Sequence, residues 1–206
     1  MQEEKGAAVL ETTKRESETR SWDWVEALVW MDRMLAALDN GVEGGKWYSL
    51  IDKVYAPKTL QLAWERVKKN QGAAGVDRIS IERFDAQADR YLAELQADLK
   101  VGNYRPDAVR RVYIPKGDGK QRPLGIPTVK DRIVPAAMKL VMEPIFEKEF
   151  LPMSYGFRPQ RGCKDALREV EGLVKEGYPW VVDADLKSYF DTYPTGSATR
   201  TNSGTD

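Results

Sequence analysis

The 206-residue chain contains no histidine. That excludes every mechanism needing an imidazole, including a Ser-His-Asp triad, a Cys-His pair and a histidine metal site. Cysteine is nearly absent as well. Cys163 stands alone, so neither an intrachain disulfide nor a cysteine zinc site can form, which fits a reducing compartment. Cys163 itself reads as a small residue near a helix start. No apolar run approaches the ~20 residues of a membrane span. The N-terminus, Met-Gln-Glu-Glu-Lys, lacks a signal-peptide pattern. These features predict a soluble, cytoplasmic protein without membrane contact. Neither sign of charge is in excess, since Lys+Arg and Asp+Glu both number 32.

What is present is a hydrophobic content of 42%, enough for a packed core, in a length suited to about one domain or one and a half. The charge is unevenly spread. Residues 1–50 carry ten acidic and six basic residues, whereas residues 100–132 carry nine basic and three acidic, a net of +6. A local basic block on a neutral chain points to a polyanion partner. The bland alternative is a solvated surface.

Residues 1–20 are polar and without period and are expected to be disordered, as are residues 193–206, whose composition can bury nothing. Ser21 is expected to open a helix to about Asp39, with ordinary core packing as the bland reading of its apolar stripe. Gly41 to Lys46 reads as a linker and Pro57 to Asn70 as a second helix. Ser80 is placed as the cap of one long helix to Val101, ended by Gly102. Val109 to Pro115 and Gln121 to Ile126 read as a β-hairpin turning at Gly117-Asp118-Gly119. Thr128 to Asp131 looks like a capping box with Asp in place of Glu. It opens a helix of about 20 residues that Pro135 and Pro144 should kink or interrupt. Asp165 to Lys175 is expected to form a short helix with Leu167, Val170 and Val174 inward. Trp180 to Leu186 is expected to be a buried strand with Asp183 and Asp185 on one face.

Three segments carry chemistry. Lys116 and Arg122 flank the hairpin turn and can project toward one polyphosphate, the lysine as a point charge and the arginine as a planar fork. In Ser154-Tyr155-Gly156-Phe157-Arg158-Pro159, aromatic and basic groups interleave as on nucleic-acid surfaces. An apolar strand ending in carboxylates, Asp183, Asp185 and then Asp191, is a frequent way of holding magnesium in phosphoryl transfer. Gly72-Ala73-Ala74-Gly75-Val76-Asp77 is a glycine loop, but no G-K-[ST] follows it, so it is not a P-loop.

At these residues the chain resembles the reverse transcriptases of bacterial group II introns, which also act as maturases. The resemblance rests on Arg110, Ile114 to Pro127, Asp131-Arg132-Ile133, Glu143 to Glu147, Ser154 to Pro159 and Val182 to Asp191. Lys46 to Tyr55 and the Gly72 to Asp77 loop match the segments that precede these motifs. The match covers roughly residues 22–192. It implies an α+β fold: an incomplete right-hand polymerase, fingers plus the start of the palm, over residues 58–192, with a helical N-terminal extension over residues 21–57.

The resemblance also assigns roles. Asp185 is similar to the first catalytic palm carboxylate, a ligand for two Mg2+ ions about 4 Å apart, with the Leu186 carbonyl helping to hold one of them. Phe190 resembles the gate beneath the incoming sugar. Lys116 and Arg122 resemble the dNTP triphosphate clamps. Gly72, Gly75, Arg110, Arg111, Tyr155, Phe157 and Arg158 fall where the family contacts RNA. Asp183 is either a structural carboxylate or a further ligand, and Asp191 either binds metal or caps the next turn. Implied partners are intron and template RNA, with a DNA primer and dNTPs in the complete enzyme. The family's Ala-Asp-Asp turn is absent from the sequence. The expectation is therefore a truncated reverse transcriptase/maturase, inactive alone, with Mg2+ binding weak or absent and with aggregation through an incomplete palm. The alternative is a non-catalytic RNA-binding remnant.

Overall fold

The computed structural model describes residues 22–41, 50–117 and 119–186. The proposed disordered ends, Lys46 to Ser49, Asp118, Phe190 and Asp191 lie outside the described residues. The chain divides into two units, the first running to Gln160 and the second starting at Arg161.

The first unit is built around a helix pair. Helix α1 is Asp32–Asn40, α2 Leu50–Val54, α3 Pro57–Asn70, α4 Ile81–Asp85 and α5 Ala88–Val101. Strands β1 (Arg110–Lys116) and β2 (Lys120–Ile126) follow, then α6 (Val129–Glu149). Pro57 sits at the start of α3, where its missing N–H costs nothing. Leu60, Ala63, Trp64 and Val67 recur at helical spacing, and all are buried. Ile133, Ala137, Leu140 and Val141 of α6 join the same core. Trp64 packs on Phe84 at 4.6 Å between ring centroids, and Phe84 on Tyr91 at 4.8 Å.

Both predicted caps form. Ser80 accepts from the Arg83 N–H, and Thr128 Oγ1 from the Asp131 N–H, each at 3.2 Å. Several expectations need correction. The long helix after Ser80 is two helices, because Gln87 (φ −136°, ψ 28°) leaves the helical region between α4 and α5. The helix expected from Ser21 begins only at Asp32. Residues 22–30 form turns, and Met31 is extended (φ −78°, ψ 154°). That departure accompanies the deep burial of the Trp30 ring.

Pro135 and Pro144 do not interrupt α6, which runs continuously for 21 residues. Pro144 has no N–H to give the Leu140 carbonyl four residues back. The indole Nε1 of Trp30 donates to that carbonyl instead, at 3.1 Å. A distant side chain thus replaces the bond the proline removes, and the helix continues through it.

The second unit holds helix α7, Cys163–Lys175. Its first turn is tied by the Gly162 N–H donating to Asp165 Oδ2 at 2.9 Å. Leu167, Val170 and Val174, expected inward, are exposed, and α7 buries none of its residues. The expected buried strand at Trp180 to Leu186 does not form either. The segment has no ladder, and its apolar side chains are exposed. A strand draws its backbone bonds from a neighbour, and the described residues 161–186 contain no other strand.

Candidate nucleic-acid interface

The hairpin presents the basic block. Its antiparallel register pairs Arg110 with Ile126, Val112 with Leu124, Ile114 with Arg122 and Lys116 with Lys120. Directly opposed residues share a face, and successive residues alternate between faces. Arg110, Lys116, Lys120 and Arg122 therefore lie on one face, with Arg111 on the other. All five are exposed, and none forms an ion pair among the described residues. Lys116 and Lys120 stand directly opposite each other at the tip, a like-charge pair that destabilises a hairpin on its own.

The base of the hairpin is held by a carboxylate. Asp131, 8% exposed, accepts from the Tyr104 hydroxyl at 2.8 Å, the Thr128 hydroxyl at 2.7 Å and the Asp107 N–H at 3.0 Å. A capping box would turn the fourth residue's carboxylate back to the cap's own N–H. Here it takes the hydroxyls instead. Burial, and then the bond to Asp131, push the Tyr104 phenol well above its usual range.

The glycine loop is docked on the same base. A Cβ at Gly75 would lie 2.7 Å from both N and Cα of Thr128, so only glycine allows this backbone approach. A Cβ at Gly72 (φ +123°) would lie 2.9 Å from Arg132 Nη1. Arg132 bridges the parts, donating to the Ala73 carbonyl and, through Nε at 3.2 Å and Nη2 at 3.0 Å, to the Pro127 carbonyl. Gly75 is buried in this contact and Gly72 is exposed.

Arg158, expected on an RNA-contacting face, is turned inward. Its side chain is only 5% exposed and Glu147's 13%. Nε donates to both Glu147 oxygens at 3.1 Å, and Nη2 to Oε1 at 2.6 Å. Nη1 donates to the carbonyls of Leu151 and Ser154, each at 2.7 Å. Arg158 thus ties the loop to the end of α6. Tyr155 is partly buried. Phe157, in left-handed backbone (φ +57°), is fully exposed.

In the second unit, Asp183, Asp185 and Leu186 are exposed. Among the described residues no group of three acidic or cysteine side chains converges as a metal site. Sequence reasoning missed Tyr104, Asp131, Arg132 and Glu147 as the residues that hold these loops. A signal existed for Asp131 and Arg132, which sit in the Asp131-Arg132-Ile133 motif as a cap partner and a basic neighbour.

A family profile described as reverse transcriptase (RNA-dependent DNA polymerase) matches residues 114–201, from within the hairpin onward. The chain is 36% identical over 136 residues to the group II intron-encoded protein LtrA of Lactococcus lactis subsp. cremoris, covering 66% of this chain and 22% of that protein. It is 32% identical over 155 residues to the putative COX1/OXI3 intron 1 protein of Saccharomyces cerevisiae, covering 75% and 18% respectively. The chain belongs to the group II intron reverse transcriptase/maturase family. Protein YkfC of Escherichia coli K12 is similar as well, at 43% identity over 149 residues, 69% of this chain and 39% of YkfC. The chain thus spans about two fifths or less of the length of these relatives. Among the described residues of this reverse transcriptase relative, no helix is long and apolar enough to cross a membrane.

Proposed function

We propose that the chain supplies RNA-gripping fingers of a group II intron RNA-directed DNA polymerase, with intron and template RNA as the polyanion that the hairpin meets. The reading includes a right-hand fold, with residues 58–192 as fingers and first palm segment. In a complete enzyme of the family, the positions of Lys116 and Arg122 would serve the triphosphate, Phe190 the sugar, and Asp185 with the Leu186 carbonyl the Mg2+ ions, with Mg2+ binding weak or absent in this chain. Two-ion catalysis supplies a charge clamp on the attacking and leaving oxygens. That chemistry needs several converging carboxylates. The described residues bring no three together, so Asp185 and the Leu186 carbonyl do not by themselves make a two-ion centre. What this chain's own residues do is bind and orient phosphate.

The observation that carries the reading is the Lys116–Lys120 pair, facing each other unneutralised at the hairpin tip beside Arg122. Such an arrangement costs stability unless an anion bridges it. Arginine and lysine on one face of a ribbon suit a phosphodiester backbone. Tyr113 and Ile114, both exposed on the same ribbon, add apolar surface for bases or sugars.

The test is fluorescence anisotropy with single-stranded RNA across a KCl series, in EDTA so that binding needs no divalent ion. Each phosphate contact contributes about −0.7 to the slope of log K against log salt. Replacing Arg110, Arg111, Lys116 and Arg122 by Ala is expected to flatten the slope by about 2 to 3. An unchanged slope would reduce the block to a solvated face.

A further inference from the structure

A second basic site lies away from the hairpin, where α3 meets α6. A cavity of about 340 Å³ there is lined by Arg66, Lys69, Asn70, Ala136 and Lys139, so among the described residues its lining holds three cations and no carboxylate. The helices that carry these side chains, α3 and α6, contribute Trp64, Ala137 and Val141 to the buried core.

Two of the three cations have carboxylate partners, Arg66 with Glu26 and Lys139 with Glu143, and only Lys69 lacks one among the described residues. Arg66 is fixed through Nη2 to Glu26 at 3.0 Å and still lines the cavity. Lys68, the neighbour of Lys69, is committed to Asp85 at 2.8 Å. Lys69 has no ion pair among the described residues. A lysine in the last turn of α3 complements the helix dipole, but Lys139 is mid-helix in α6 and gains nothing from a terminus. Its pair with Glu143, 3.3 Å away at i,i+4, runs lysine-first, the weaker order, with Lys139 58% exposed. It is free to exchange that partner for an anion. Asn70 adds an amide donor, and Ala136 leaves the centre open.

We propose that this cavity is a phosphate cradle for RNA, holding one backbone phosphodiester between Lys69 and Lys139, with Arg66 at its edge. The inference rests on the reading that the chain binds RNA, and it assigns a contact separate from the hairpin. Among the described residues no hydrogen bond or ion pair links the two sets of cations. Their contributions to the salt slope should therefore add.

The experiment uses the full chain and single-stranded oligouridylate, by anisotropy over the same KCl series. Lys69→Gln with Lys139→Gln is expected to reduce the slope by about 0.7, the value of one phosphate contact. The same decrement is expected on top of a hairpin variant. Lys69→Arg with Lys139→Arg should keep the wild-type slope. Ala136→Glu, which places a carboxylate in the cavity, should weaken binding several-fold at low salt and less at high salt. Circular dichroism and thermal unfolding of each variant check the fold. If the wild type binds and the hairpin variant flattens the slope, but the glutamine pair and Ala136→Glu match wild type, the cradle is refuted and the RNA reading stands. A wild-type chain without RNA affinity overturns both.

Discussion

Replacing Arg158 by Gln separates two roles for a residue that sequence reading places on the RNA and the structure places inside. The guanidinium is 5% exposed and Glu147 13%. Removing one partner of a buried ion pair costs about 3–5 kcal/mol, because the remaining charge is left without compensation. The Leu151 and Ser154 carbonyls also lose their donor. Leu151 and Met153 are exposed, so water can reach parts of this loop once the side chain is shortened. The lower end is therefore expected, about 3 kcal/mol. With a urea dependence of about 2 kcal/mol per molar, the unfolding midpoint should fall by about 1.5 M. Glu147→Gln should destabilise by a similar amount. The double substitution puts two neutral amides where the ion pair was, and should fall short of the sum of the singles by about 1–3 kcal/mol. The RNA salt slope should stay at its wild-type value throughout, since Arg158 has no free edge toward solvent. An unchanged midpoint with a flattened slope would refute the reasoning, because it would mean that Arg158 spends its charge on RNA.

Two further outcomes follow from single contacts. Trp30→Phe leaves the Leu140 carbonyl without a donor, at about 1–3 kcal/mol beyond the lost packing. In a Pro144→Ala background residue 144 regains an N–H for that carbonyl, so Trp30→Phe should cost less there; equal costs in urea unfolding would show that the indole bond does not stand in for the helical one. For Tyr104, burial and the bond to Asp131 raise the folded phenol above its ordinary value of 10.0. The neutral form is the one the fold favours, so this stabilisation is whole below about pH 10 and is lost as pH rises from there toward the folded value. Wild type should lose stability steeply above about pH 10, and Tyr104→Phe should lack that component in alkaline urea titrations.

What was legible in the sequence was local. Ser80 and Thr128 are identifiable as caps because the bond they make spans three residues. The hairpin is legible because glycines bracket its turn, Gly119 taking the left-handed backbone (φ +70°). The contacts that assemble the site span far longer separations. Arg132 reaches Ala73 across 59 residues, and Trp30 reaches Leu140 across 110. No periodicity encodes such pairs. One signal went unused: a proline inside a helix frees a known carbonyl, and a buried helix must find that carbonyl a donor. At Trp180 to Leu186 the pattern was read correctly as apolar, but burial is a property of neighbours. Residues 161–186 supply no strand beside it. The SYGFRP stretch misled for a different reason. An arginine among aromatics looks the same in sequence whether it faces RNA or a buried glutamate.

The arrangement of the first unit explains how an isolated two-stranded ribbon can hold its shape. Such a hairpin is marginal alone, and this one carries Pro115 and Pro123, which lack backbone donors, as well as the like-charge pair at its tip. Its stability must come from its base. There Asp131 accepts from both flanking segments, Tyr104 and Asp107 before β1 and Thr128 after β2. Gly75 packs against the backbone of the same turn and Arg132 ties the loop across it. Only a residue without Cβ fits at Gly75, and only a short carboxylate buried at the helix start reaches all three donors. Among the described residues the buried acidic group of the basic block, Asp131, anchors the hairpin base, and the hairpin cations beyond it form no ion pair. Ordering the base in advance lowers the conformational cost of binding. For the proposed RNA contact, each of these cations that meets a phosphate would add to the salt dependence of binding.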